Sequence, residues 1–496
     1  MKKLTPRSPR RAGTMPASAR AAKARLTEMD VERCADALCA YQREVTAVFA
    51  RREQRDWSRF YLCGQLSNVE RKTMEPLVLA LLGPDQNAVR GLQQFIGQSP
   101  WPTQPMLINH QARVAAALGE PAGVVIVDGS GFPKDGPESV GVAPQYCGHL
   151  GKVANSQEGV FAAYVSTHGC TFLDARLYLP EVWFGDDYQE RWQRCGIPPA
   201  TGFQTEPALA LEMVTALAQR GTVPFQWVAA DEHFGGNPAF LDGIAALGKW
   251  YLAEVPADTR VWLRAPAVQA PGRGPLGRPR LKPRLAPHAS PSQEVRHLAQ
   301  SLARARWHTW TLKAGSKGPL IAQFAFMKVI SSRAGLPGAR QWLILRRGLA
   351  AGAEIKYYLS NAPVTCSASE FVRLSGLRWP IETAFEEGKG EVGMDHYETR
   401  TWRGWHHHMA QTFLAHFFLV QVRLMHKKSS RPDYGPSPST RGPRYRTRSG
   451  RLPRCYGDLG LPATPQSCRL SLSSQAHAQE VSATRKIQKA VSLVVP

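Results

Sequence analysis

Apolar positions recur at helical spacing through VERCADALCAYQREVTAVFA, MEPLVLALLG and NAVRGLQQFIGQ, which predicts a run of helices over residues 27–118. After residue 119 the texture changes. GVVIVDGS (123–130) and FQWVAAD (225–231) are short, β-branched apolar runs that predict buried strands, and they carry Asp128 and Asp231 at their ends. EGVFAAYVSTHG and CTFLDARLYLP predict two more strands joined by a turn at His168-Gly169. PALALEMVTALAQRG predicts a helix stopped by Gly221, and KWYLAEVP one further strand. Strands followed by a helix and a strand give an α/β layout across 119–259.

From Arg260 to about Pro291 the chain is rich in Pro, Gly and Arg and predicts an extended basic loop. WHTWTLK, LIAQFAFMKVI, RQWLILRRG and EIKYYLSNAP follow it, so 260–366 is expected to be a β-rich insertion. A helical pattern returns over 367–426. Residues 427–496 lose periodicity and become Ser/Pro/Arg-rich, which predicts a disordered basic tail, and 1–26 predict a disordered basic arm.

Charge narrows the partners. Lys and Arg outnumber Asp and Glu by 62 to 39, a net charge of +23 with a pI near 9.9. Such an excess favours a polyanion, and nucleic acid is the commonest one. The basic residues of the helical region, Arg51, Arg52, Arg55, Arg71 and Lys72, are expected on polar faces, either as solvated charge or as part of a DNA-binding region. No apolar run is long enough to cross a bilayer, and the basic N-terminus lacks a secretory apolar segment. The nine cysteines are scattered without a CxxC pair, which argues for a reducing, cytoplasmic setting and against zinc fingers.

The two strand-end aspartates suggest metal chemistry. Hard divalent ions such as Mg²⁺ take oxygen ligands and keep positions for water and phosphate. Two of them about 3.5–4 Å apart activate a water or 3′-OH and stabilise a phosphodiester's leaving oxygen. A third carboxylate is then expected from a helix beside the strands. In RWPIETAFEEGKGEVG (378–393), Arg378, Glu382, Phe385 and Lys389 fall along one helical stripe. An Arg378–Glu382 surface pair would explain the stripe at only a few tenths of a kcal/mol. Beside two strand-end aspartates, Glu382 becomes the candidate third ligand, with Glu386 one turn away as its rival. The three consecutive histidines, His406 to His408, cannot face one ion and read as packing or phosphate contacts.

At these residues the chain resembles insertion-sequence transposases of the DDE class. The resemblance spans VDGSGFPKDGPESVGVAPQYCGHLGKVANSQEGV, WVAADEHFGGNPAFLDGI, RQWLILRR and RWPIETAFEEGKGEVGMDHYETRTWRGWHHHMAQTFLAHFFL, roughly residues 40 to 425. It implies a ribonuclease-H-like mixed sheet with flanking helices and a β-rich insertion before the last acid. It also implies Asp128, Asp231 and Glu382 as the catalytic, metal-binding triad. One branch of these transposases carries Tyr, Arg, Glu and Lys at fixed intervals; Arg378, Glu382 and Lys389 match, while Ser375 stands at the tyrosine position. Arg378, Lys389, Lys134 and Lys152 are the expected phosphate contacts. The resemblance implies two Mg²⁺ ions (Mn²⁺ substituting) and a homodimer on duplex DNA. It further implies cutting at terminal inverted repeats and joining of the 3′-OH ends to target DNA. A non-catalytic DNA-binding remnant, suggested by the anomalous tail, and a metal-dependent nuclease of the same fold are the alternatives.

Overall fold

A computed structural model describes residues 28–429, apart from 149, 273–280, 316–317 and 351. The predicted basic arm and most of the low-complexity tail lie outside the described residues, as does part of the Pro/Arg-rich loop. No described helix is long and apolar enough to cross a membrane.

Five helices come first: α1 (Glu28–Val45), α2 (Arg52–Leu66), α3 (Met74–Leu82), α4 (Gln86–Gly97) and α5 (Thr103–Leu118). Asp85 starts α4 by accepting from the backbone N–H groups of Asn87 and Ala88 at 2.9 and 3.0 Å. One basic residue departs from expectation. Lys72 is buried, donates to the Ser67 carbonyl and lies within the field of Glu391. Burial lowers its ammonium to about 8. Charge counting could not separate it from Arg71, which forms an exposed pair with Glu398 at 2.7 Å.

The sheet then begins with β1 (Val124–Pro133), β2 (Ala143–Cys147), β3 (Lys152–Val165) and β4 (Cys170–Leu177). Helices α6 (Gln189–Cys195) and α7 (Glu206–Arg220) lead to β5 (Trp227–Ala230). The short α8 (Glu232–Gly235), α9 (Pro238–Ala246) and β6 (Trp250–Val255) follow. β1 runs antiparallel to β3, β3 antiparallel to β4, β1 parallel to β5, and β5 parallel to β6. The spatial order β4-β3-β1-β5-β6, with only the β3 direction reversed, is the ribonuclease-H arrangement. The run predicted to end at Ser130 continues as strand to Pro133, because β3 pairs with it over its whole length.

The insertion lengthens this sheet. Its elements are β7 (Arg260–Trp262), β8 (Val268–Gln269), β9 (Arg284–Leu285), β10 (Gln293–Glu294) and α10 (Val295–Gln300). The longer strands β11 (His308–Gly315), β12 (Gly318–Arg333), β13 (Leu336–Arg347) and β14 (Ile355–Ser360) follow. β14 pairs antiparallel with β6, so β12, β13 and β14 continue the core sheet outward.

Three helices close the fold: α11 (Ala368–Ser375), α12 (Arg378–Val392) and α13 (Trp402–Ser429). α13 is buried on nearly every side from Trp405 to Val422, as expected of a helix running through a core. It packs against β4 on one side and α1, α2, α4 and α5 on the other, joining helical region to sheet. Several of its polar side chains find partners there. Gln411 meets Ser58, the Thr412 hydroxyl accepts from Gln65, and His408 pairs with the Tyr61 hydroxyl. The histidine triplet is packing: the His407 ring stacks on Trp101 at 3.5 Å, and burial lowers the His406, His407 and His408 imidazoles to about 4, 4 and 3.

Candidate active site

The two aspartates stand side by side. The parallel β1–β5 ladder pairs Val127 with Ala230 and ends there, so Asp128 and Asp231 are the next residues on neighbouring strands, roughly 5 Å apart in backbone. Asp128 stays in β1, where its Oδ1 accepts from the Gly129 N–H at 2.8 Å. Asp231 turns away to cap α8, accepting from the backbone N–H groups of His233 and Phe234 at 3.0 and 3.3 Å. Gly235 lets α8 lie against β6, since a Cβ there would fall 1.9 Å from the Glu254 carbonyl oxygen.

Register fixes the face that Asp128 uses. Asp128 lies directly opposite Phe161 across the β1–β3 ladder, and directly opposed residues project to the same face. The Phe161 ring packs edge-on against Phe385 of α12 at 5.2 Å, and against Phe413 of α13. Asp128 therefore faces α12. Glu382 sits one turn before Phe385 on that helix and is exposed, as is Glu386. Further along α12, Lys389 donates to the Gly131 carbonyl at 3.3 Å and lies 5.0 Å from the Phe132 ring centroid. Burial lowers its ammonium, against Asp395, Cys147 and Glu158, which raise it.

The remaining expected contacts separate. Lys134 is turned inward, donating to the Tyr397 carbonyl at 3.2 Å with its ammonium 3.6 Å from the centroid of the same ring. Lys152 is exposed at the start of β3. The Arg378 side chain lies outside the described residues, although its backbone opens α12. Ser375, at the tyrosine position, is buried and donates to the Val372 carbonyl at 2.8 Å.

The opposite face of β1 holds residues that sequence reasoning missed. A Cβ on Gly129 would approach Glu206 Oε2 to 3.5 Å, and one on Gly131 would strike Glu158 Oε1 at 2.5 Å. Glu206, in the first turn of α7, lies 3.4 Å from His233 Nε2. That carboxylate holds the imidazole above its ordinary pKa; burial opposes it, and Asp231 and Asp128 add to the upward shift. Burial raises the Glu158 carboxyl to about 8, with Glu206 adding repulsion while Lys389 and His233 lower it. The available signal was alternation: glycines at 129 and 131 leave room on that face, and Glu158 is the cross-strand partner of Gly131.

The donors suit a hard divalent cation in kind, being carboxylate oxygens. The buried Glu158 Oε1 has no hydrogen-bond partner among the protein groups, which leaves an acceptor free on the opposite face of β1. Among the described residues, no three His, Cys, Asp or Glu side chains already stand close enough to hold one ion. Asp128 and Asp231 are adjacent by register, while Glu382 is carried on α12, the helix that Asp128 faces.

A family model for a DDE superfamily endonuclease matches residues 44–319, more than half of the chain. The chain belongs to that family. The matched span contains Asp128 and Asp231 and stops before Glu382. A curated relative, named "Probable transposase for insertion sequence element IS701" from Microchaete diplosiphon, is 29% identical over 174 residues, 35% of this chain and 41% of the relative. The chain thus matches about two-fifths of that relative's length. The crystal structure of the NurA nuclease from Sulfolobus solfataricus aligns over 67% of this chain and 94% of its own at 12% identity and a TM-score of 0.25. Strand order and direction assign the fold.

Proposed function

We propose that this DDE-family chain is a DNA transposase that cuts at the terminal inverted repeats of its own element and joins the released 3′-OH ends to target DNA. The observation that carries the reading is the register that sets Asp128, within β1, beside Asp231, the residue that follows β5, in a ribonuclease-H-ordered sheet. The relative's printed name and the charge of +23 support a DNA substrate.

Asp128 and Asp231, with Glu382 from α12, would hold a pair of divalent cations, Mg²⁺ or Mn²⁺. Bound there, the ions supply activation of a water or 3′-OH and compensation of the leaving oxygen's charge. The protein contributes positioning. Gly129 N–H orients the Asp128 carboxylate, and the first turn of α8 orients Asp231. The Glu206–His233 pair braces that turn from the other face of the sheet. Lys389, anchored on Gly131 three residues along β1 from Asp128, would offer a cation to a phosphate oxygen of bound DNA. Two ends must be processed together, so the working form is a homodimer on DNA.

The test uses a supercoiled plasmid carrying the gene with its flanking DNA. The expected result is nicking at the element's two boundaries with Mg²⁺ or Mn²⁺, abolished by EDTA and restored by adding back the ion. Cleavage undiminished in EDTA would overturn the metal chemistry. Cuts scattered without regard to the boundaries would favour a general nuclease.

A further inference from the structure

Between the first two long strands of the core the chain makes a two-stranded ribbon, β2 with the start of β3. Its tip is unusually apolar for an exposed hairpin. Tyr146 and Val153 are directly paired across the ribbon, share one face, and are 66% and 65% exposed. Leu150 is a further exposed apolar residue at the tip, at 42%. Lys152 pairs with Cys147 on the other face; Cys147 is buried, and a Cβ on Gly131 would fall 2.8 Å from its Sγ. The ribbon's root is fixed. Trp183 Nε1 donates to the Val142 carbonyl at 3.0 Å, and the Asn155 amide donates to the Lys134 and Gly136 carbonyls at 2.7 and 3.1 Å.

An exposed tyrosine, valine and leucine on a rooted ribbon beside a lysine need an occupant, because contiguous apolar surface on a protruding element usually marks an interface. Two features favour duplex DNA. The flanking group is cationic in a chain of net charge +23. The ribbon is also continuous with the catalytic strand pair: β3 runs without a break from Phe161, opposite Asp128, to Val153. Those eight residue-to-residue steps span roughly 26 Å, the length of about eight base pairs. We infer that this ribbon is a second DNA contact, a wedge in which Tyr146 and Val153 press into a groove or between base steps while Lys152 meets a phosphate. Apolar wedges on such elements partly unstack a base step and bend the duplex. The inference rests on the DNA reading above and adds a contact remote from the acids.

The test is duplex binding by the full chain, by fluorescence anisotropy on a random-sequence 30-bp DNA in EDTA, over a range of salt. The double variant Tyr146→Ser/Val153→Ser is expected to bind on the order of tenfold more weakly with the salt dependence unchanged, because an apolar contact releases no counterions. Lys152→Gln is expected to lower the log–log salt slope by about one. Tyr146→Phe, which keeps the ring, should bind as the wild type does, which separates loss of the contact from loss of the fold. Equal affinity in all variants, with tight and salt-dependent wild-type binding, would overturn the wedge and leave the DNA reading standing. A double variant that binds DNA normally but sediments as a monomer where the wild type is a dimer would make the ribbon a contact between copies and overturn the wedge. Wild-type protein without salt-dependent duplex binding would overturn the DNA reading and the wedge with it.

Discussion

Asp128→Asn is expected to leave the protein folded and bound to DNA while strand cleavage falls by at least about a thousandfold, roughly 4 kcal/mol at the barrier. The asparagine keeps an Oδ1 that can accept from the Gly129 N–H, so the local hydrogen bond of β1 survives. It removes the negative charge that would hold a cation next to Asp231. Binding to duplex DNA should be unchanged or slightly tighter, since one repulsive charge near the phosphates is gone. Plasmid nicking and anisotropy, measured on the same preparation, check both halves. Wild-type cleavage in this variant would remove Asp128 from the chemistry.

The second large effect concerns the core behind α12. Glu387 is buried, accepts from Arg423 at 2.8 Å and lies 3.4 Å from His416. Burial alone would raise its carboxyl; His416 and Arg423 outweigh that and hold it down at about 2. A carboxyl whose folded pKa lies below its unfolded one contributes stability that is full above the unfolded value. That contribution is lost as pH falls through the folded one. Here the window runs from about 4.5 down to about 2. Glu387→Gln leaves Arg423 without this carboxylate, at a cost of about 3 kcal/mol, the lower end for breaking a buried pair, because Arg423 keeps some solvent contact. Urea unfolding should show that loss at pH 7 and a smaller difference from wild type near pH 3. Pairing the change with Arg423→Met should recover part of it. A Glu387→Gln protein as stable as wild type at pH 7 would show that the pair contributes nothing net.

The parts of this fold that were legible in the sequence are those where burial leaves a local mark. GVVIVD and FQWVAAD read as strands because a strand buried on both faces is continuously apolar, and an acid at its end stands out. A helix such as α7 carries its period and its stop, Gly221, within a single window. Pairing partners leave no such mark. Nothing in EIKYYLS says that it joins β6 and turns the insertion into an extension of the core sheet. Side-chain direction is equally hidden: Lys134 and Lys152 look alike in sequence, yet one lies over Tyr397 and the other is exposed. Glu206 and Glu158 escaped notice because their proximity to His233 and the β1 glycines arises only when α7 docks on the sheet.

Everything catalytic in this account depends on the acids of β1, β5 and α12 sharing bound cations. The most direct measurement is an electron paramagnetic resonance titration of Mn²⁺ into the full chain with a 30-bp duplex present. The expected result is a pair of tightly held ions in the wild type. At least one should be lost in each of Asp128→Asn, Asp231→Asn and Glu382→Gln, with wild-type occupancy in Glu386→Gln. Undiminished Mn²⁺ binding in Glu382→Gln would contradict the account, most plainly if Glu386→Gln lost an ion instead.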